Sequence, residues 1–318
     1  EEFELAKTSI INRLKRQKAD PNSLARNAFN HLVYGDNHIF AISSLGTEES
    51  VTNITIDDLK AYYDSYFSPS VANFHIAGDI TQDYAVKSLA GLTDSWQAKE
   101  VVFPEYTYPP PLDASKIYFV DVPGAKQSVI NIGCIGLART DDDFYPATVM
   151  NHKLGGSFNG TVNMVLREEK GFTYGARTYF SGYHVPGPFM ASASVRSSAT
   201  FESVQIFKEL MEEYREGILE EDLDFTKNAL IKSNAREFET LRSLLSMLQN
   251  ISMYDMPKDY IKGEEEIVRN MTLNQHRDLA TKYILPDKMY YIVAGDAATQ
   301  MEALSEIGFG EPILYEEN

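Results

Sequence analysis

Residues 48–79, EESVTNITIDDLKAYYDSYFSPSVANFHIAGD, align without a gap on residues 265–296, EEIVRNMTLNQHRDLATKYILPDKMYYIVAGD, at a fixed offset of 217. Ten of the 32 positions are identical, among them Val51/Val268, Asn53/Asn270, Thr55/Thr272, Tyr66/Tyr283, Pro69/Pro286 and the Ala-Gly-Asp that closes each copy. Several substituted pairs keep their character, as in Ile56/Leu273, Lys60/Arg277 and Phe74/Tyr291. Each copy reads as a Thr-initiated helix, a break at proline and a β-strand ending at Gly-Asp. Upstream the likeness continues at an offset near 220, where Phe3, Leu5, Lys7, Ile10 and Ile11 meet Leu223, Phe225, Lys227, Leu230 and Ile231. A period this long marks a duplicated domain and not a solenoid repeat.

The duplication divides the chain. Pro104, Pro109, Pro110 and Pro111 interrupt a polar, aromatic stretch that offers little to a regular helix, so residues 97–115 are expected to be a linker. Residues 1–96 then belong to a first lobe and residues 116–318 to a second. Lys116 lies 149 residues before Glu265, and the same distance counted back from Glu48 overshoots Glu1 by about 100. The first lobe is therefore expected to be truncated at its N-terminus.

Within the second lobe, Ile117–Val122 and Gln127–Leu137 read as strands around Pro123-Gly124, and Phe144 to Leu154 has helical spacing. Asn159–Lys170 reads as a helix with Val162, Val165 and Leu166 on one face. Phe172–Phe180 and Pro188–Arg196 alternate as strands, before a helix that turns Val204, Phe207, Leu210, Met211 and Tyr214 inward. The expected class is α+β: two homologous α/β lobes, each a mostly antiparallel or mixed sheet with helices on one face.

Charge limits the partners. With 46 acidic against 29 basic side chains and a formal net charge of -17, the chain repels nucleic acid and anionic membrane surfaces. No apolar run approaches the roughly 18 residues of a membrane span. The single cysteine, Cys134, sits in an apolar run and reads as a small core residue.

Familiar catalytic patterns are missing. His31, His38, His75, His152, His184 and His276 form no His-x-x-Glu-His, His-Glu-x-x-His or His-x-His arrangement that would bring two ring nitrogens to one zinc ion. No Gly-x-Ser-x-Gly elbow occurs. Gly155-Gly156-Ser157-Phe158-Asn159-Gly160 lacks the Lys-Ser/Thr ending of a phosphate loop and reads as a flexible helix entry. Downstream, Met164 to Phe180, MVLREEKGFTYGARTYF, leaves two readings open. Arg167 and Lys170 suit a helix C-terminus closed by Gly171, with Tyr174 sharing a strand face with Phe172 in the core. Alternatively, Arg167 and Tyr174 form a working surface.

Leu154-Gly155-Gly156-Ser157-Phe158-Asn159-Gly160, followed by Leu166-Arg167-Glu168-Glu169-Lys170-Gly171-Phe172-Thr173-Tyr174 on a duplicated unit, resembles the insulinase/pitrilysin family of zinc peptidases. The likeness covers essentially the whole chain in the family's order. It implies a first lobe with His-x-x-Glu-His and a downstream glutamate ligand, whose helix matches Glu2–Gln17 with the ligand position near Asn12 or Arg13. Neither is a carboxylate, so the resemblance implies a non-catalytic half that binds no zinc itself and is inactive alone. It further implies that Arg167 and Tyr174 act as substrate-binding, catalytic residues, holding a peptide carbonyl and donating to the developing oxyanion at a zinc in a catalytic partner half. That half would precede this one in the polypeptide or be a separate subunit, and the peptide substrate would add a strand to an exposed sheet edge. The alternative is a member with a purely structural or peptide-binding role, as among core subunits of respiratory complexes. A self-sufficient peptidase conflicts with Asn12 and Arg13.

Overall fold

The computed structural model of the chain describes residues 1–236 and 238–316. It opens with α1 (Glu2–Gln17), α2 (Pro21–Tyr34), α3 (Glu48–Asn53), α4 (Ile56–Tyr66) and α5 (Gln82–Ser95). Residues 97–115 hold neither helix nor strand. There follow β1 (Lys116–Asp121), β2 (Gln127–Ile135), α6 (Phe144–Asn151), α7 (Thr161–Asn163), β3 (Thr173–Phe180) and β4 (Pro188–Arg196). Next come α8 (Thr200–Tyr214), α9 (Glu220–Arg236), α10 (Leu241–Tyr254), α11 (Tyr260–Asn270) and α12 (Leu273–Tyr283). The chain closes with β5 (Tyr290–Gly295), α13 (Ala297–Gln300) and β6 (Ile313–Leu314).

The strands form one mixed sheet in the order β3-β4-β2-β5-β1-β6. β1 runs parallel to β5 and β6, and the remaining pairs are antiparallel. Side chains alternate across it with period two. Ile117, Phe119, Ile130, Ile132, Tyr291 and Val293 face a core shared with α8 and α12. Val120, Val129, Ile292 and Ala294 face the other way, onto Ala25, Ala28, Phe29 and Val33 of α2. The sheet's own helices thus lie on one face, and a helix from the N-terminal part of the chain covers the opposite one.

Sequence explains why α2 can do this. Asp20 caps its start by accepting the Asn22 and Ser23 amides, Pro21 supplies a preset φ, and Gly35 at φ 74° ends it. Alanines at 25 and 28 let the helix lie close to the strands. Gly133 lies opposite on the sheet, where a Cβ would collide with the Phe189 carbonyl oxygen of β4 and stand 3.1 Å from the tip of the Phe29 ring.

The repeat is visible in three dimensions. α4 and α12 span corresponding residues at the offset of 217, and both begin with a capping box, Thr55 with Asp58 and Thr272 with Gln275. α2 and α10 correspond at an offset of 220 and both end at a left-handed residue, Gly35 and Asp255. The strand expected over the end of the first copy does not form: residues 72–77 belong to no helix or strand. Its counterpart β5 lies between β1 and β2, whereas among the described residues before Lys116 there is no strand to pair with it. A lone strand leaves its backbone groups unsatisfied and gains nothing from the ladder. Accordingly Leu59, Tyr63 and Phe67 are exposed, where His276, Ala280 and Ile284 at the same offset are buried.

Phe29 is fully buried between α2 and the sheet. Phe29→Ala should lower unfolding stability by about 3–5 kcal/mol through lost transfer energy and the cavity left behind. Urea unfolding followed by circular dichroism measures this, and an unchanged midpoint would contradict the docking of α2.

Candidate functional site

α6 continues into a π-helical turn, His152–Gly156, and α7 into a second, Met164–Glu169. Both lie along the outer edge of β3. Two buried asparagines fasten them there. Asn151 donates to the Thr178 carbonyl at 2.9 Å and accepts from the Thr178 hydroxyl at 2.6 Å, while Asn163 accepts the Ala176 amide at 3.0 Å and donates to the Phe158 carbonyl at 2.7 Å. Backbone groups that an added strand would need at Ala176 and Thr178 are therefore already bonded. Strand addition on β3, expected from the resemblance, is blocked over this stretch, and the opposite edge, β6, is only two residues long.

The glycines between the two π-turns are packed. A Cβ on Gly155 would sit 2.6 Å from the Thr178 amide nitrogen, and one on Gly160 would sit 2.7 Å from the Gly155 Cα. The segment read as a flexible helix entry is instead a close-packed crossing, where only glycine lets backbone meet backbone.

The second π-turn closes at Gly171, whose φ of 62° is left-handed. Gly171 donates to the Arg167 carbonyl and Phe172 to the Leu166 carbonyl. Phe172 is buried and anchors the turn to the core. Immediately after it, β3 carries one extra residue: Thr173 pairs with Val195, but the next pair is Ala176 with Ala193. Inside this bulge the Thr173 hydroxyl donates to the Ser194 carbonyl at 2.7 Å and accepts the Gly175 amide at 3.1 Å. Tyr174 stands at the crest, 91% exposed, and its hydroxyl makes no hydrogen bond among the described residues. The core alternative for Tyr174 fails here, because the bulge takes it off the face that buries Phe172.

Arg167 leaves the π-turn partly exposed. Its guanidinium stacks 4.6 Å over the ring of Phe158, itself 65% exposed, and lies 3.4 Å from a Glu168 carboxylate oxygen. Phe158, Asn151 and Asn163 escaped sequence reasoning. The legible signal was two asparagines twelve residues apart, each beside an apolar residue on a helical face that is otherwise buried.

No group of three or more His, Cys, Asp or Glu side chains among the described residues could hold a metal ion. Asn12 and Arg13 are both exposed on α1. His31 is engaged at 2.6 Å by Asp36 and at 2.9 Å by the Tyr315 hydroxyl, and His38 accepts the Phe40 amide. These residues do not fit zinc. Burial pushes the Cys134 thiol up to about 12, which leaves it inert as a nucleophile.

Behind the first π-turn, the Tyr214 hydroxyl donates to the Met150 carbonyl at 2.7 Å, and His276 Nε2 lies 3.2 Å from the same carbonyl. A carbonyl only accepts, so a bond from His276 to it is donated by Nε2–H, and the same nitrogen lies 3.0 Å from the Tyr214 hydroxyl. Burial lowers the His276 pKa to about 4. The unfolded chain, with a histidine near 6.5, takes up the proton first, so the stability that this histidine contributes falls as pH drops from about 6.5 to about 4 and changes no further below. Removing this histidine in His276→Gln should shrink that decline by about 3 kcal/mol, measured as urea midpoints across pH. An unchanged slope would contradict the assignment.

Comparison with known proteins supplies the context. Residues 53–230 match the family described as Peptidase M16 inactive domain, which is more than half of the chain. The chain is 23% identical over 227 residues to an uncharacterized zinc protease of Streptomyces coelicolor, covering 70% of this chain and 49% of that protein. It is 23% identical over 281 residues to a Helicobacter pylori protein named Non-peptidase homolog YmxG, covering 87% of this chain and 63% of the relative. The chain thus spans between about half and just under two thirds of the length of these relatives. The crystal structure of a peptidase M16 inactive domain from Pseudomonas fluorescens superposes with a TM-score of 0.83 at 24% identity, over 94% of this chain and 71% of that one, and shares the fold.

Proposed function

Because this chain belongs to the Peptidase M16 inactive domain family, we propose that it is the non-catalytic half of a zinc endopeptidase. In this reading it closes a substrate chamber and lends Arg167 and Tyr174 to a hydrolytic site held by a partner half, either upstream in the same polypeptide or on a separate subunit. Residues 1–96 and 116–318 would be its two lobes and 97–115 the connection between them.

The observation that carries the proposal is the presentation of the two side chains. A turn anchored by buried Leu166 and Phe172 presents an aromatic hydroxyl bare on a bulge, and a stacked guanidinium on the turn before it. The guanidinium can offer two parallel N–H groups to a peptide carbonyl. The phenol can donate to an oxygen that gains charge as the peptide bond is attacked. Phe158 limits the rotamers of Arg167, so less entropy is lost when substrate binds.

A second reading retains peptide binding or a structural role and drops the help with hydrolysis. It is favoured by the name Non-peptidase homolog carried by the Helicobacter pylori relative, and by the Glu168 oxygen that already lies 3.4 Å from Arg167.

Reconstitution with a zinc-bearing half of the family separates the two. Peptide cleavage should fall by about a hundredfold in Arg167→Ala and by about tenfold or more in Tyr174→Phe, the size of loss seen when one oxyanion-stabilising donor is removed. Equal rates in folded variants would favour the second reading.

A further inference from the structure

A cavity of about 620 Å³ opens beside Tyr174, between β3, β4 and the first turn of α2. Its lining includes Tyr174, Arg177, Gln127, Asn22, Phe158 and Ser194. In a chain with 46 acidic side chains, not one carboxylate lines it, and Arg177 is the only charged lining residue. Arg167, over the Phe158 ring that forms part of the lining, lies 3.4 Å from a Glu168 oxygen, and Lys170 is 2.6 Å from Glu202. Arg177 has no carboxylate partner among the described residues, and its guanidinium rests 5.3 Å over the Tyr179 ring, which leaves its edge free to donate. A second cation, Arg26 of α2, acts on the same Tyr179 phenol. Asp20, two residues before Asn22, accepts from the Asn22 and Ser23 amides and the Ser23 hydroxyl.

The polar walls agree with an anionic occupant. The Gln127 carboxamide makes no hydrogen bond among the described residues and adds a free N–H donor. Ser192 and Ser194 give their protons to Asn131 and Asn22, so the side of the cavity they form is fixed before anything binds.

We propose that this cavity is a subsite for a carboxylate carried by the bound peptide, with Arg177 as its counter-ion. The inference rests on the reading that the chain binds peptides, and it adds a specificity to it. Tyr174 and Arg177 are three residues apart on β3 with the bulge between them, so the carboxylate lies within a few peptide residues of the bond that Tyr174 contacts. Both an acidic side chain and a free C-terminus offer this chemistry.

Titration calorimetry on the full chain distinguishes them with three hexapeptides of one sequence: an amidated peptide with Glu, its Gln counterpart, and the Gln peptide with a free C-terminus. The Glu or the free-acid peptide should bind about tenfold more tightly than the amidated Gln peptide, as expected for one charge-assisted bidentate contact. Which of the two gains identifies the source of the carboxylate. The preference should vanish in Arg177→Gln, return in part in Arg177→Lys, and weaken between 0.05 and 0.5 M salt because the site is open to solvent. Equal binding of all three, a preference that survives Arg177→Gln, or no binding to the wild-type chain would each overturn the subsite. The cleavage assay with Arg167→Ala and Tyr174→Phe, run on a neutral peptide, judges the wider reading separately, because a peptide without a carboxylate does not call on Arg177.

Discussion

The seating of two π-helical turns against the edge of β3 governs everything the molecule can present. An open edge is a row of unpaired amides and carbonyls, and this one is closed from within the chain by Asn151 and Asn163. Close approach needs Gly155 and Gly160, since any Cβ there would collide with Thr178 or with the neighbouring glycine. Once the turns are seated, Arg167 emerges from the second, and the bulge that follows Gly171 lifts Tyr174 clear of the sheet. Asn163 links the two outcomes, holding the Phe158 loop beneath Arg167 and the backbone of the bulge with one carboxamide. A closed edge also shifts recognition from main-chain pairing to side chains.

The scaffold behind this edge is a sheet held between two helical layers. Its inner residues sort by parity, with Ile117 and Phe119 on one side and Val120 on the other, and only one layer comes from the helices that follow the sheet in sequence. The other is α2, fastened at its far end where Tyr315 reaches His31. The duplicated organisation thus becomes a physical tie between the two parts of the chain. The same duplication shows what the first copy lacks: Leu59, Tyr63 and Phe67 stand exposed at positions whose second-copy counterparts are core.

Much of this could be read from the residues. The offset of 217 located the starts of α4 and α12, because the Thr caps at 55 and 272 are local signals that act within one turn, and the prolines at 69 and 286 lie three residues past the helix ends. Strands β1 to β4 followed from period-two alternation. What escaped depends on partners distant in sequence. Residues 72–77 carry a strand pattern, but a strand exists only with neighbours. The choice of α2 as a cover for the sheet is a tertiary event without a local mark. The bulge at Tyr174 looked like continued alternation, since one inserted residue changes the face of a side chain and not the composition of the segment. Arg167 and Tyr174 are named through the resemblance to the insulinase/pitrilysin family, while Phe158 and Arg177, which flank them in space, carry no mark in the sequence.

In the proposed function, Tyr174 reaches a substrate held by a zinc-bearing partner half. Replacing Tyr174 with a photo-reactive azidophenylalanine and irradiating the complex of this chain, the partner half and a non-cleavable peptide measures this directly. A crosslink to the peptide is expected, mapped by mass spectrometry to residues flanking the scissile position. A crosslink only to protein, or peptide labelling unchanged when the peptide is displaced from the partner's zinc, would contradict it.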